Sequence, residues 1–365
     1  MTREAKLLVL MSRRQSSPGL LGIGFALNDL HRVMFAQAWR EFVMKKMTAF
    51  AIFISAAFLS LSIAHAQDYP TEPIRIIVPF APGGAVDVVA RVMAQHLSEK
   101  FKQNVYVENK PGASGNIGAG IVMGAAADGY TLMVSPSTFV VNPIVAAEPP
   151  AFDPLKDFSQ VALIAKGPLL FIVHPDVANS VQEFVAKAKA DPSKYNFATG
   201  GFGSAGHMSA ELFKIRAIIN IPVVLYRGTA PAFNDLMSGN ISGMLDPEVT
   251  SLPLAHGGSA KALAISDSKR SALAPEIPTF AEAGFDNFEF YTWYGLWGPA
   301  NIPSLVLAKI EEAVREIGKS PETQSWFKSQ GLEFAGTAGL AFGDFERDEQ
   351  SKYRDIMTKG NIARQ

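Results

Sequence analysis

The 365-residue sequence contains no cysteine. Disulfides, thiolate zinc sites, iron–sulfur clusters and a cysteine nucleophile are therefore excluded together. Charge is scarce as well. Only 18% of residues are Asp, Glu, Lys or Arg, and they nearly cancel, to a net charge of −1. So balanced a chain has no electrostatic footprint for nucleic acid. At 48% hydrophobic residues it is also far too apolar for disorder. Histidines beyond residue 66 are His96, His174, His207 and His256, with no H-E-x-x-H and no close pair, so zinc is not expected. Gly203-Ser204 and Ala113-Ser114-Gly115 both miss G-x-S-x-G, so no nucleophile elbow is expected. There are no repeats, no low-complexity linker and no second long apolar run.

The single apolar run covers 49–63. It follows Lys45-Lys46 and leads into Ala64-His65-Ala66-Gln67. A basic start, an apolar stretch too short to span a membrane and an A-x-A site describe a secretory signal peptide. Cleavage is expected after Ala66, leaving a periplasmic chain. Met44 directly precedes the lysine pair, so residues 1–43 read as an upstream extension that the natural product lacks. The remaining 299 residues hold 25 Lys+Arg against 31 Asp+Glu, a net charge of −6. An acidic product argues further against nucleic acid and anionic membrane surfaces.

From Tyr69 onward, short β-rich runs alternate with helical patterns. Strands are expected at 74–78, 105–108, 131–134, 161–165, 170–173, 195–199, 223–226 and 262–265. Helices are expected at 85–101, 115–127, 181–190, 205–215 and 230–238. The tail after Pro303 reads as helical, over 305–317, 322–330 and 340–356. Glu311/Arg315 and Asp348/Lys352 are placed as surface pairs, and 344–348 is read as solvated helix surface. This alternation predicts an α/β protein with largely parallel sheets. About 300 residues exceed what one core serves, so two domains are expected.

Candidate chemistry lies at strand–helix junctions. Pro79-Phe80-Ala81-Pro82-Gly83-Gly84 joins a buried strand to a long helix. Its glycines allow close backbone approach, and the helix start offers unpaired N–H groups to an anion. Asp87, in the first turn, is a candidate cap. Ser135-Pro136-Ser137-Thr138, Thr199-Gly200-Gly201-Phe202-Gly203-Ser204 and Tyr226-Arg227-Gly228-Thr229 repeat the arrangement. Such loops, rich in Gly, Ser and Thr and poor in acid, point to capture of a small anion, a carboxylate above all. Gly201 to Gly206 also spells G-x-G-x-x-G, but a dinucleotide site needs an acid at the end of the next strand. Tyr226 and Arg227 stand there instead. His207 is either a ligand contact or a packing residue. Asp246 either meets a ligand or makes a turn before Pro247. Trp293, Tyr294 and Trp297 form an aromatic knot suited to core or hinge packing.

Taken together, these segments resemble the Bug-type extracytoplasmic receptors of tripartite tricarboxylate transporters. The resemblance runs from Tyr69-Pro70 and the 73–84 segment, with Asp87, Ala90 and Arg91, through Val107-Glu108-Asn109-Lys110-Pro111-Gly112-Ala113. It continues with Asp128-Gly129-Tyr130, Asp153-Pro154-Leu155, Tyr226-Arg227-Gly228, Glu282-Ala283-Gly284 and Trp293-Tyr294-Gly295-Leu296. It implies a type II periplasmic binding protein fold, two α/β domains joined by two crossovers with the ligand cleft between them. The crossovers would fall near 165–169 and 288–293. Residues 67–167 and 290–365 would form domain 1, and 168–289 domain 2, with 1–66 ahead of both.

The resemblance further implies a monomeric receptor with no catalysis, cofactor or metal. It would close over a small organic carboxylate and deliver it to inner-membrane permease subunits. Positions matching the family's binding loops are Phe80, Ala81, Gly83, Gly84, Ser137, Thr138, Thr199, Gly203, Ser204, Tyr226, Gly228, Thr229 and Asp246. Phe202 and Pro247 depart from residues common there, which suggests an aromatic or apolar acid alongside the dicarboxylates. A sensing module for a regulatory partner shares every one of these features. An NADP-linked or hydrolytic enzyme is the weaker alternative.

Overall fold

The computed structural model describes residues 69–226 and 228–364. The signal peptide, its cleavage point after Ala66, residues 1–43 and Arg227 lie outside the described residues. The elements run in the order β1 (Ile74–Val78), α1 (Ala85–Phe101), β2 (Val105–Asn109), α2 (Asn116–Met123), β3 (Thr131–Pro136), α3 (Thr138–Val145) and β4 (Phe158–Val173). Next come α4 (Val181–Ala190), β5 (Phe197–Thr199), α5 (Ala205–Ala217), β6 (Val223–Leu225), α6 (Thr229–Met237), β7 (Gly243–Pro247), α7 (Glu248–His256) and β8 (Lys261–Ile265). The chain closes with β9 (Tyr291–Pro299), α8 (Ser304–Lys319), α9 (Pro321–Ser329), β10 (Glu333–Ala338) and α10 (Leu340–Lys359).

The strands form one path, β2-β1-β3-β9-β4-β7-β5-β6, with β8 and β10 each pairing with β4. The outer wings are parallel, as the alternation of β and α requires: β1 with β2 and β3, and β5 with β6 and β7. The centre is not. β4 runs antiparallel to β7, β8, β9 and β10, and β9 antiparallel to β3. The expectation of largely parallel sheets therefore holds only for the wings. It fails in the centre, where β7 and β8 run against β4 and where β9 and β10 return from the far end of the chain with no βαβ unit to set their direction.

β4 is the longest strand and serves both wings. Residues 158–168 pair with β9, and 169–173 pair with β7. Two expected strands, at 161–165 and 170–173, are thus one. Lys166-Gly167-Pro168 looks like a break in sequence, but Gly167 and Pro168 stay in register with Thr292 and Tyr291. The aromatic knot is the strand β9, and the helical tail contains the unforeseen strand β10. Lys352 pairs with Glu349 at 3.3 Å and not with Asp348.

Each wing has its own aromatic core. In the first, Phe139, Phe158, Trp293, Trp297 and Phe342 are buried together. In the second, the Phe171 ring meets Phe184, Phe197, Phe213 and Phe280 at centroid distances of 5.0 to 6.1 Å. Burying each such side chain stabilises by roughly 1.5–3 kcal/mol. The second core also takes in Val141, Ile144 and Val145 of α3 and Tyr353, Ile356 and Met357 of α10. These two helices lie beside the central strands and bind the wings to one another. Among the described residues, no helix is long and apolar enough to cross a membrane.

Candidate functional site

The first loop is shaped from beneath. The Asp87 carboxylate, 3% exposed, accepts hydrogen bonds from Gly83 N (2.9 Å), Arg91 Nε (2.9 Å) and Asn109 Nδ2 (2.9 Å). The same Asn109 amide reaches the Phe80 carbonyl at 3.0 Å. Burial alone would raise the Asp87 carboxyl, but these donors together hold it below the usual range. Asp87 is therefore the loop's internal fastener. Above it Gly83 adopts φ +87, and Gly84, at φ −79, precedes α1 with no side-chain cap. A Cβ at either glycine would meet no atom within 4 Å. The backbone here faces open space.

The loops of the second wing interlock. Thr199 Oγ1 and Ser204 Oγ lie 2.8 Å apart, and Ser204 Oγ accepts from His207 N to cap α5. Tyr226 N donates to the Thr199 carbonyl at 2.9 Å, and Gly228 N donates to the Gly200 carbonyl at 2.8 Å. A Cβ on Gly200 would lie 2.7 Å from Thr229 Oγ1. Glycine is thus required where the two loops touch. Gly201 and Gly228, by contrast, face no atom within 4 Å of a Cβ, and Gly228 precedes α6 without a side-chain cap.

His207 belongs to the scaffold. It is 3% exposed, and its Nδ1 accepts from Gly203 N at 3.2 Å. Burial, with a smaller effect from Lys214, lowers its pKa to about 4, so the ring is neutral at pH 7. The Phe202 ring lies tilted against this ring, with centroids 4.7 Å apart, and packs partly on the second core.

Contacts link the loops of the two wings. A Cβ at Gly203 would lie 2.9 Å from Val145 and 3.3 Å from Val141 of α3, the helix that Ser137 and Thr138 open. Asn142, on the same helix, donates through Nδ2 to the Ser114 carbonyl (2.8 Å) and to Asn116 Oδ1 (2.9 Å). Gly115, beside them, has room for a Cβ only 3.4 Å from the Phe80 ring. Ser137 N donates to the Trp293 carbonyl at 3.0 Å. Beyond it Tyr294 is fully buried on β9, where burial first and the Asp246 carboxylate to a smaller degree raise its hydroxyl's pKa. Asp246 is 4% exposed, with Thr250 Oγ1 donating to its Oδ2. Burial pushes its carboxyl up to about 7. Among the described residues it has no ion-pair partner.

Of the thirteen sequence-derived positions, Thr199, Ser204, Tyr226, Gly228 and Thr229 form one contacting group. Gly203, Ser137, Thr138, Asp246 and Phe80 are joined to it through α3, β9 and the 113–116 turn. Ala81, Gly83 and Gly84 stand exposed on the far rim. Asn109, Ser114 and Asn142 were missed. The signal for Asn109 was present, because it stands in the Val107-Glu108-Asn109-Lys110 segment that carries the family resemblance. Asn142 carries no such mark. It sits in a helix whose Val-Val and Pro143 content disguises it.

The aromatic knot has a polar underside. Trp293 Nε1 donates to Glu349 at 3.0 Å, and Trp297 Nε1 donates to Glu346. Glu346 is fully buried, so the reading of 344–348 as solvated surface is corrected at this residue. Burial raises its carboxyl to about 8.

The family model described as the tripartite tricarboxylate transporter family receptor matches residues 89–362. The protein BugT of Bordetella pertussis is 32% identical over 287 residues, covering 78% of this chain and 88% of BugT. The solved structure of R. palustris Rpa4515 with adipate aligns at TM-score 0.77 and 29% identity, over 81% of this chain and 99% of that one. MatC from Rhodopseudomonas palustris, with bound malate, aligns at TM-score 0.72 and 29% identity, over 79% and 99%. The two-domain fold of these periplasmic binding proteins is the fold of this chain. The chain belongs to the receptor family of the tripartite tricarboxylate transporters.

Proposed function

We propose that the protein is exported, captures a small organic carboxylate between its two wings, and delivers it to a membrane permease. The observation that carries this reading is the set of glycines at strand–helix junctions, Gly83, Gly84, Gly201 and Gly228, whose α-carbons face empty space. Backbone N–H groups at the uncapped starts of α1 and α6 would supply the positive potential. Hydroxyls of Ser137, Thr138, Thr199, Ser204 and Thr229 would complete the donors. No arginine clamp is needed, and the role is binding without catalysis.

The wings would divide at 167/168, within β4, and at 289/290, just ahead of β9, and the two crossings would bend when the cleft closes. Relatives with adipate and malate support an aliphatic dicarboxylate as the ligand class. Phe202, half-buried on His207, offers an aromatic acid only part of its ring. Thermal unfolding of the full chain against mono-, di- and tricarboxylates and aromatic acids tests the reading. The true ligand at 100 times its Kd adds about 2.7 kcal/mol of stability. A shift with a sugar or an uncharged amide, and with no acid, would overturn it.

A further inference from the structure

Beside the central strands lies a cavity of about 450 Å3 that none of the thirteen cleft residues lines. Its volume is in the range of small-molecule sites. Its walls come from both wings: Lys166 to Pro168 and 331–334 from one side, Glu248, Asp267 and 269–273 from the other, with Tyr291 between. Ile265, Leu332 and Phe334 give it apolar surface.

The polar groups are sorted by charge. Glu248 is 2% exposed, and its Oε1 has no hydrogen-bond partner. The backbone of Gly331, at φ +69, closes on the other oxygen, so that a Cβ there would lie 2.6 Å from Oε2. Burial, and then the Asp267 carboxylate, raise the Glu248 carboxyl, while Ser271 and His256 act in the opposite sense. Asp267 in turn lies 3.1 Å from the Tyr291 hydroxyl. This is an acidic floor with an unmet demand for a donor. The basic side chains differ in their engagement. Arg270 is held by Glu282 at 2.9 Å, and Lys166 by Glu333 at 3.4 Å. Lys269 and Lys328, both exposed, make no ion pair among the described residues.

We propose that this cavity is a second binding site, for a zwitterionic amino acid whose ammonium meets Glu248 and whose carboxylate meets Lys269 and Lys328. A bare amine would satisfy the floor but face four basic side chains in the lining. A bare acid would satisfy the lysines but leave the Glu248 oxygen buried and unpaired. Among the described residues no cluster of three or more acidic or imidazole groups suits a metal ion. The apolar wall favours an aliphatic side chain. Because Glu248 follows Asp246 by two residues and touches Gly331 of the other wing, an occupant would contact both wings at once. The proposal stands independently of the carboxylate cleft.

Titration calorimetry of the full chain with L-leucine, 4-methylpentanoate and 3-methylbutylamine tests it, with Glu248→Gln, Lys328→Gln and Gly84→Val as variants. Leucine should bind the unmodified protein and Gly84→Val equally. Glu248→Gln should weaken it at least tenfold, and each single-charge probe should bind at least tenfold more weakly than leucine. Lys328→Gln, on the exposed end of α9, should weaken leucine about fivefold and serves if Glu248→Gln does not fold. Absence of leucine binding, indifference to these two charge changes, or loss of leucine in Gly84→Val alone would overturn the proposal.

Discussion

Gly83 and Gly84 are neighbours with different reasons to be glycine. Gly83 needs φ +87, which costs an L side chain roughly 1–2 kcal/mol. Gly84, at φ −79 with open space around it, has no folding reason at all. Urea unfolding should therefore show Gly83→Val destabilised by about that amount and Gly84→Val unchanged. Equal losses would mean that both glycines serve only the turn. His207 supplies a pH test of the same scaffold. Its folded pKa lies near 4, below the 6.5 of a free imidazole. The unfolded chain therefore binds the extra proton first, so stability is complete above pH 6.5 and falls as pH drops towards 4. The loss should reach about 3 kcal/mol, and urea unfolding of His207→Gln between pH 7 and 4.5 should show a correspondingly shallower decline.

At the scale of elements, β1, α1 and α4 fall on their sequence-derived ranges to the residue. Each carries its own signal: a buried strand apolar except at Arg75, a Gly-Gly entry, and a Ser180 cap accepting from Glu183 N. The elements that escaped are set by partners. β10 is half-exposed EFAGTA, a strand only because β4 pairs with it. α3 and α7 each carry an internal proline, which argues against helix locally. Gly167 shows what such pairing requires. A Cβ there would lie 2.6 Å from Leu332 Cδ2 and 2.8 Å from the Gly331 carbonyl. Gly167→Ala should cost about 1–3 kcal/mol in chemical denaturation by pushing β4 from the 331–332 turn. The tie between β9 and α10 has a pH signature opposite to that of His207. Glu346 ionises near 8 when folded and near 4.5 when unfolded, so its contribution is present below pH 4.5 and lost as pH rises through 8. Glu346→Gln keeps an acceptor for Trp297 and should gain stability over the unmodified protein steadily from pH 5 to pH 8. A constant difference across that window would show that the carboxyl is not buried as described.

For the molecule as a whole, the alternation of strands and helices made two α/β wings legible, and the loop composition pointed to the anion capture proposed above. Most of the candidate site was visible because glycine and hydroxyl residues at strand ends declare themselves locally. The antiparallel centre was not, since β4 and β9 meet across more than a hundred residues of chain. In the proposed cleft the donors would be backbone N–H groups and hydroxyls at the strand–helix junctions, which net charge does not register. The most direct measurement is a calorimetric titration of the unmodified protein and Gly84→Val with the acid giving the largest thermal shift. Our account predicts one carboxylate bound per chain by the unmodified protein and at least a hundredfold weaker binding by a Gly84→Val variant that unfolds at the same urea concentration. Equal affinity in both proteins would contradict it.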